Sequence, residues 1–436
     1  MIHAFRAELL SVPHDPRGHP EAVRHEPDGL LVIEDGIVLD RGPYAELAGR
    51  YSQVPTRILP GLVVPGFVDA HIHYPQTDRI ASHGEQLLDW LDRHIFPAEK
   101  AFADRGHADA VASFFLDELL KNGTTSALVY PTVHEHSVDA LFEAAMLRNM
   151  RLISGKVLMD LGPEGLRDTV ASGRAESEAL IRRWRGRGRL GYAVTPRFAL
   201  ASSDAQLADA GALVAQHPDV LMHTHLAENL RECEAVAARF PESIDYLDTY
   251  DRFGLVTPRS VFAHGIHLDD RACARLAGSG AGIAVCPSSN LFLGSGFFDF
   301  ALNDRHEVRL GLGTDVGAGT TFSLLHTAGL AYQAALMRGE RLDPFRALYL
   351  ATAGSAALLH IDDRVGALEP GMEADFVVLD DKATPLMARR TAGADLATRL
   401  FALQILGDDR AVAATYVMGR GAWNRSGTTR DDDVRT

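Results

Sequence analysis

Cysteine is scarce: three residues in 436, at positions 233, 273 and 286, with no Cys-x-x-Cys spacing. That excludes a disulfide framework and a thiolate zinc site, and it fits a reducing, cytoplasmic compartment. Positive charge is also in deficit, since 43 Lys and Arg face 58 Asp and Glu and leave a formal charge of −15. A surface of that sign excludes a sequence-independent grip on nucleic-acid phosphates, while a free base or nucleoside stays open as a ligand. No uninterrupted apolar run approaches the roughly 20 residues of a membrane span. The N-terminal Met-Ile-His-Ala-Phe-Arg-Ala-Glu has no basic segment leading into an apolar one, so no export signal is expected. Neither a nucleic acid nor a membrane is therefore expected as partner. Internal repeats and low-complexity segments are absent as well.

What the chain does have is an alternation of apolar β-type runs with amphipathic helical stretches from residue 62 onward, the pattern of βα units and a parallel sheet. Strands are expected near 64–73, 124–131, 150–159, 190–198, 219–227, 260–267, 281–287 and 308–315, with helices such as 107–121, 203–216 and 322–338 between them. Eight units predict an α/β fold, a (β/α)8 TIM barrel over residues 62–364. Residues 1–61 and 365–436 carry short β-type runs at 29–39 and 374–380 and are expected to form a small β-sandwich domain from both chain ends. Asp35-Gly36 marks a hairpin, Glu369-Pro370-Gly371 a tight turn before a strand, and the polar stretch from Arg425 to Thr436 a loose tail.

The most informative stretch is Leu62-Val-Val-Pro-Gly-Phe-Val-Asp-Ala-His-Ile-His-Tyr74. In an extended strand alternate side chains share a face, so His71 and His73 point the same way and can grip a metal. Barrel enzymes build their sites at the carboxyl ends of the strands. His225 falls at the end of the fifth predicted strand, His264 toward the end of the sixth and Asp315 at the end of the eighth. Each alone reads equally as a capping carboxylate or a hydrogen-bonded strand-end histidine; together they read as a metal centre. Three imidazoles and a carboxylate suit Zn²⁺ or Fe²⁺ with a position left for water, whose pKa the metal lowers from about 15.7 towards about 7. Glu228, three residues beyond His225 in His-Leu-Ala-Glu, is placed to carry protons without being a ligand. His223 shares a face with His225; the more C-terminal histidine is nearer the active face, so His223 is read as interior. His83, His94, His267, His306 and His326 are read as surface or packing residues. The fourth strand ends in Thr195-Pro196-Arg197-Phe198 and offers no lysine for a bridging carbamate, which favours one metal over two.

These motifs, with Ala-His-Gly at 263–265, Gly-Thr-Asp at 313–315 and the closing Gly-Ala-Leu-Glu-Pro-Gly-Met-Glu-Ala-Asp-Phe-Val-Val-Leu, resemble the amidohydrolase superfamily over essentially the whole chain. Within it, His-Ile-His-Tyr-Pro-Gln at 71–76, Ile-Phe-Pro-Ala-Glu-Lys at 95–100, Thr-Pro-Arg-Phe at 195–198, Ser-Asn-Leu-Phe-Leu-Gly-Ser-Gly-Phe at 289–297 and Gly-Thr-Asp-Val-Gly-Ala-Gly-Thr-Thr-Phe at 313–322 are similar to the guanine deaminase family. The resemblance implies hydrolysis of guanine to xanthine and ammonia in purine catabolism or salvage. It implies one zinc per subunit, with iron as the alternative, held by His71, His73, His225 and Asp315, and a homodimer. It assigns catalysis to Glu228, His264 and Asp315, and substrate contacts to Gln76, Arg197 and Phe198 together with His225, Glu228 and Asp315. Arg197→Ala is expected to damage turnover far more than stability, and Trp90 to pack over the pocket. The metal cluster alone does not separate guanine from another aminopurine, a pterin or a triazine, and a scaffold relative without catalysis is the alternative of a different class.

Overall fold

The computed structural model describes residues 1–83 and 86–427. Its strands are β1 (Ile2–Ser11), β2 (Arg24–Glu34), β3 (Ile37–Pro43), β4 (Thr56–Pro65), β5 (Phe67–His73), β6 (Thr124–Tyr130), β7 (Arg151–Ser154), β8 (Val157–Leu158), β9 (Gly191–Pro196), β10 (Leu221–Leu226), β11 (Ser260–His264), β12 (Gly282–Val285), β13 (Arg309–Leu312), β14 (Phe376–Leu379), β15 (Val412–Val417) and β16 (Arg420–Asn424). The parallel barrel sheet runs β5-β6-β7-β9-β10-β11-β12-β13, with β8 beside β9. Every residue of β5 and β6 is buried, as expected of strands covered by side chains inside and helices outside. Beyond β13 the ring is drawn shut by Asp315 N–H donating to the His71 carbonyl at 2.9 Å. The helix Arg105–Lys121, capped by Asp104 on His107 N–H, packs outside β6.

The two chain ends form one seven-stranded mixed sheet, β16-β15-β14-β4-β1-β2-β3. Asp35 and Gly36 both take positive φ, 50° and 86°, and so make the tight β2–β3 hairpin read from the sequence. Several boundaries differ from expectation, and the strand expected over 150–159 is split into β7 and β8. The apolar run expected as a single strand over 64–73 is two strands, because Leu62–Pro65 pair with β14 and only Phe67–His73 enter the barrel. The changeover is therefore at Gly66 rather than between residues 61 and 62. A side chain cannot sit there: a Cβ on Gly66 would lie 2.2 Å from Thr125 Oγ1. Likewise residues 365–436 do not all join the end sheet, since the helices Pro385–Thr391 and Leu396–Leu406 pack with each other, and the latter rests on the barrel helix Leu324–Met337. Of the expected tail, residues 428–436 lie outside the described residues. No helix among the described residues is long and apolar enough to cross a membrane.

Candidate functional site

Five polar side chains meet at the carboxyl end of the barrel. His71 and His73 close β5, His225 lies one residue before the end of β10, and His264 ends β11. Asp315 is not on β13 itself but three residues past it, in a loop with φ 51°. His264 (φ 74°) and Ala227 (φ 48°) share this left-handed backbone, which a residue with a Cβ adopts only where the surrounding structure enforces it.

His71, His73 and Asp315, and likewise His71, His225 and His264, bring their donor atoms close enough together that they could hold a metal ion. His73 Nε2 lies 3.2 Å from His71 Nε2 and 3.3 Å from His225 Nε2, while Asp315 Oδ1 is 3.3 Å from His71 Nε2 and 3.4 Å from His73 Nε2. A tetrahedron with arms of about 2.0–2.1 Å has edges of about 3.3–3.4 Å. The donors are also in the right charge state. Burial, and then the neighbouring imidazoles, hold His73 and His225 well below the ordinary histidine value, so both are neutral with a lone pair to offer. His225 Nδ1–H donates to the Arg197 carbonyl at 2.7 Å, which fixes the tautomer that leaves Nε2 free. His71 Nδ1 is 2.8 Å from His223 Nε2, so the histidine read as interior supports a cage residue from behind. His83, His94, His267, His306 and His326 belong to none of the ligand groups among the described residues.

Glu228 and His264 line the pocket beside this cluster. Glu228 Oε2 is 3.5 Å from His264 Nε2, which stands 3.8 Å from Asp315 Oδ2 and has no hydrogen-bond partner among the described residues. Burial, then the charges of Glu232 and Asp315, push the Glu228 carboxyl well above its usual value, which favours its protonated form. Burial lowers His264 to about 4 against the opposing pull of Asp315. His264 is oriented through Nδ1, 2.9 Å from Asn290 Oδ1.

A pocket opens over this cluster, lined by Gln76, Trp90, Arg197, Phe198, Glu228 and His264 among others. Arg197 is 2% exposed and paired with Glu99, which is 1% exposed. Trp90 lines the pocket as expected, and its indole N–H donates to the Ser82 carbonyl at 2.9 Å.

Every site residue named from the sequence is thus in one place, but four supporting residues were missed. Asp69 accepts from His71 N–H at 3.2 Å, Thr314 N–H at 3.1 Å and Thr314 Oγ1 at 2.5 Å, tying the strand of His71 to the loop of Asp315. Burial raises it to about 7 against those hydrogen bonds. Its signal was available, since Asp69, His71 and His73 alternate on one strand face. Glu232 takes the N–H groups of Glu228 and Asn229 at 3.0 and 3.2 Å, as the capping box beginning at Asn229 would suggest. Asn290 and Glu99 had no local signal beyond lying in segments already singled out.

A family model described as "Amidohydrolase family" matches residues 62–421. The guanine deaminase of Escherichia coli (strain K12) is 46% identical over 435 residues, covering 98% of both chains. A solved structure of E. coli guanine deaminase superposes with a TM-score of 0.94 at 45% identity, over 97% of this chain and all of that one. A guanine deaminase from C. acetobutylicum, solved with guanine bound in its active site, gives a TM-score of 0.89 at 26% identity over 97% of this chain and all of that one.

Proposed function

From the premise that this chain belongs to the amidohydrolase family, we propose that it is a hydrolase that converts guanine and water to xanthine and ammonia. The observation that carries this reading is the meeting of Glu228, His264 and Asp315 beside the histidine cluster, in a pocket that Arg197 and Gln76 also line. His71, His73, His225 and Asp315 would hold one metal ion per subunit, zinc or in its place iron. When bound, that ion supplies a hydroxide nucleophile near neutral pH.

The remaining steps belong to the chain. Asp315 and His264 orient the attacking water towards C2 of the purine and take up its proton. Glu228 gives its proton to ring nitrogen N3, so that the carbon under attack becomes more electrophilic. The first proton taken from water passes to the exocyclic amine, which leaves as ammonia, and the second, on the new C2 hydroxyl, returns to Glu228 as the C2–O bond becomes the new carbonyl. Each such proton transfer contributes about 10²–10⁴-fold. Gln76 and Arg197 hold the polar edge of the base, with Phe198 against its face or its edge through the backbone. A cytoplasmic homodimer acting in purine catabolism or salvage completes the reading; the low cysteine content suits a reducing compartment.

The test is ammonia release from guanine by metal-replete protein, run beside adenine, a pterin and an aminotriazine, before and after chelation. Release from guanine alone, lost on chelation and restored by zinc, is expected. No release from guanine by protein that holds metal would overturn the substrate, and release from a pterin or triazine in its place would name the right one.

A further inference from the structure

Glu99 is a buried carboxylate that none of these steps uses. It sits on the short helix Phe96–Lys100, behind the pocket wall, and faces two residues that line the pocket. Arg197 donates Nη1–H to Glu99 Oε2 at 2.5 Å and Nη2–H to Oε1 at 3.0 Å, and Gln76 Nε2 reaches Oε1 at 3.4 Å. The Arg197 guanidinium carbon also lies 5.1 Å from the centre of the Phe96 ring. A fork of two hydrogen bonds and an aromatic face leave the guanidinium one orientation.

We propose that Glu99 is a positioning residue that sets the donor and acceptor pattern of the pocket edge, and with it the preference for a base carrying an oxygen at C6. The inference rests on the guanine reading above and deepens it. A carboxylate only accepts, so Glu99 takes two of the five Arg197 N–H groups and leaves three for a ligand. For the same reason the Gln76 amide turns its nitrogen to Glu99 and its oxygen away, towards Gly317, where an added Cβ would lie 2.1 Å from Gln76 Oε1. The edge then offers donors from Arg197 and an acceptor from Gln76. Guanine matches both, with O6 and N7 as acceptors and N1–H as donor. A purine without the C6 oxygen keeps N7 but loses the O6 acceptor and has a lone pair at N1 in place of N–H, so it meets the Arg197 donors with one oxygen fewer and leaves the Gln76 acceptor unpaired. Without Glu99 the amide is free to turn over and the guanidinium to swing, so the pattern is lost while the reacting groups stay in place.

The decisive comparison uses 2-aminopurine, which keeps the reacting amine and lacks the oxygen. In wild-type and Glu99→Gln holoenzyme, the guanine KM and kcat and the inhibition constant of 2-aminopurine against guanine are measured. The ratio of that inhibition constant to the guanine KM is expected to fall at least about tenfold in the variant, since a site built around paired polar groups rejects an analogue lacking them far more strongly than one that is not. The guanine KM should carry more of the change than kcat. A ratio that stays within twofold of wild type, whatever happens to kcat or melting temperature, would overturn the proposal and leave Glu99 a structural partner of Arg197. If Glu99→Gln does not fold, Glu99→Asp keeps the charge and withdraws it by one methylene; the ratio should again fall, and an unchanged ratio in that folded variant overturns the proposal equally. Wild-type protein that does not turn over guanine would instead defeat the function proposed above, so the two failures are distinct.

Discussion

Asp315 donates its main-chain N–H to the carbonyl of His71 at 2.9 Å. The residue that brings the carboxylate and a residue that brings an imidazole are thus joined through their backbones across the seam where the barrel closes. The bond that closes the barrel therefore also holds these two residues side by side. The left-handed backbone at Asp315 (φ 51°) is held there by this bond and by the grip of Asp69 on Thr314.

Glu228 does not belong to the cage, so Glu228→Gln should bind a full complement of metal, read by elemental analysis, while turnover drops by about 10²–10⁴-fold. Its carboxyl is raised by burial and by Glu232, so removing the acid should not lower the melting temperature. Turnover near wild type would remove Glu228 from the proton path.

Arg197→Ala is expected to lower stability as well as turnover. The structure makes Arg197 half of a buried ion pair, and removing one partner leaves Glu99 charged and unpaired, a loss of about 3–5 kcal/mol. Denaturant titration should show that loss beside the loss of turnover. The double variant Arg197→Ala/Glu99→Gln should recover stability and not activity; a double variant no more stable than the single one would contradict the pairing.

Gly317 has φ 123°, a conformation side chains rarely adopt, and its hydrogen faces Gln76. Gly317→Ala should lower stability by about 1–3 kcal/mol and raise the guanine KM by displacing the Gln76 amide. An unchanged KM would mean that Gln76 does not touch the substrate.

Acid sensitivity should be seated partly far from the pocket. Glu373 accepts from Arg189 Nη2 at 2.5 Å and also pairs with Arg151, joining the end sheet to the barrel. Burial alone would raise its carboxyl, but the Arg151 hydrogen bond and the Arg189 charge outweigh it and hold it below the ordinary value. A depressed carboxyl contributes stability above the unfolded value of about 4.3, and that contribution is lost as pH falls through the folded value. Between pH 6 and 3 the melting temperature of the wild type should therefore fall more steeply than that of Glu373→Gln. Parallel curves would rule out this linkage.

How much of this was legible along the chain follows from the range of each interaction. The order of strands and helices, the hairpin at Asp35-Gly36 and the pairing of His71 with His73 on one face are local patterns, set by alternation and turn chemistry within a few residues. His225, His264 and Asp315 could be placed because a parallel barrel brings all its strand ends to one rim. The partners that hold those residues in position were not legible. Glu99 and Arg197 are 98 residues apart, Asp69 and Thr314 are 245 apart, and His71 and His223 are 152 apart. No periodicity links such pairs. Gly66 reads as lying within one strand over 64–73, whereas Leu62–Pro65 pair with β14 more than 300 residues on. The sequence by itself determined which residues could do the chemistry, because side-chain type and strand phase are local. Only the tertiary structure decided which of them are buried, neutral and fixed, because burial and hydrogen-bond partners exist only once distant segments have packed.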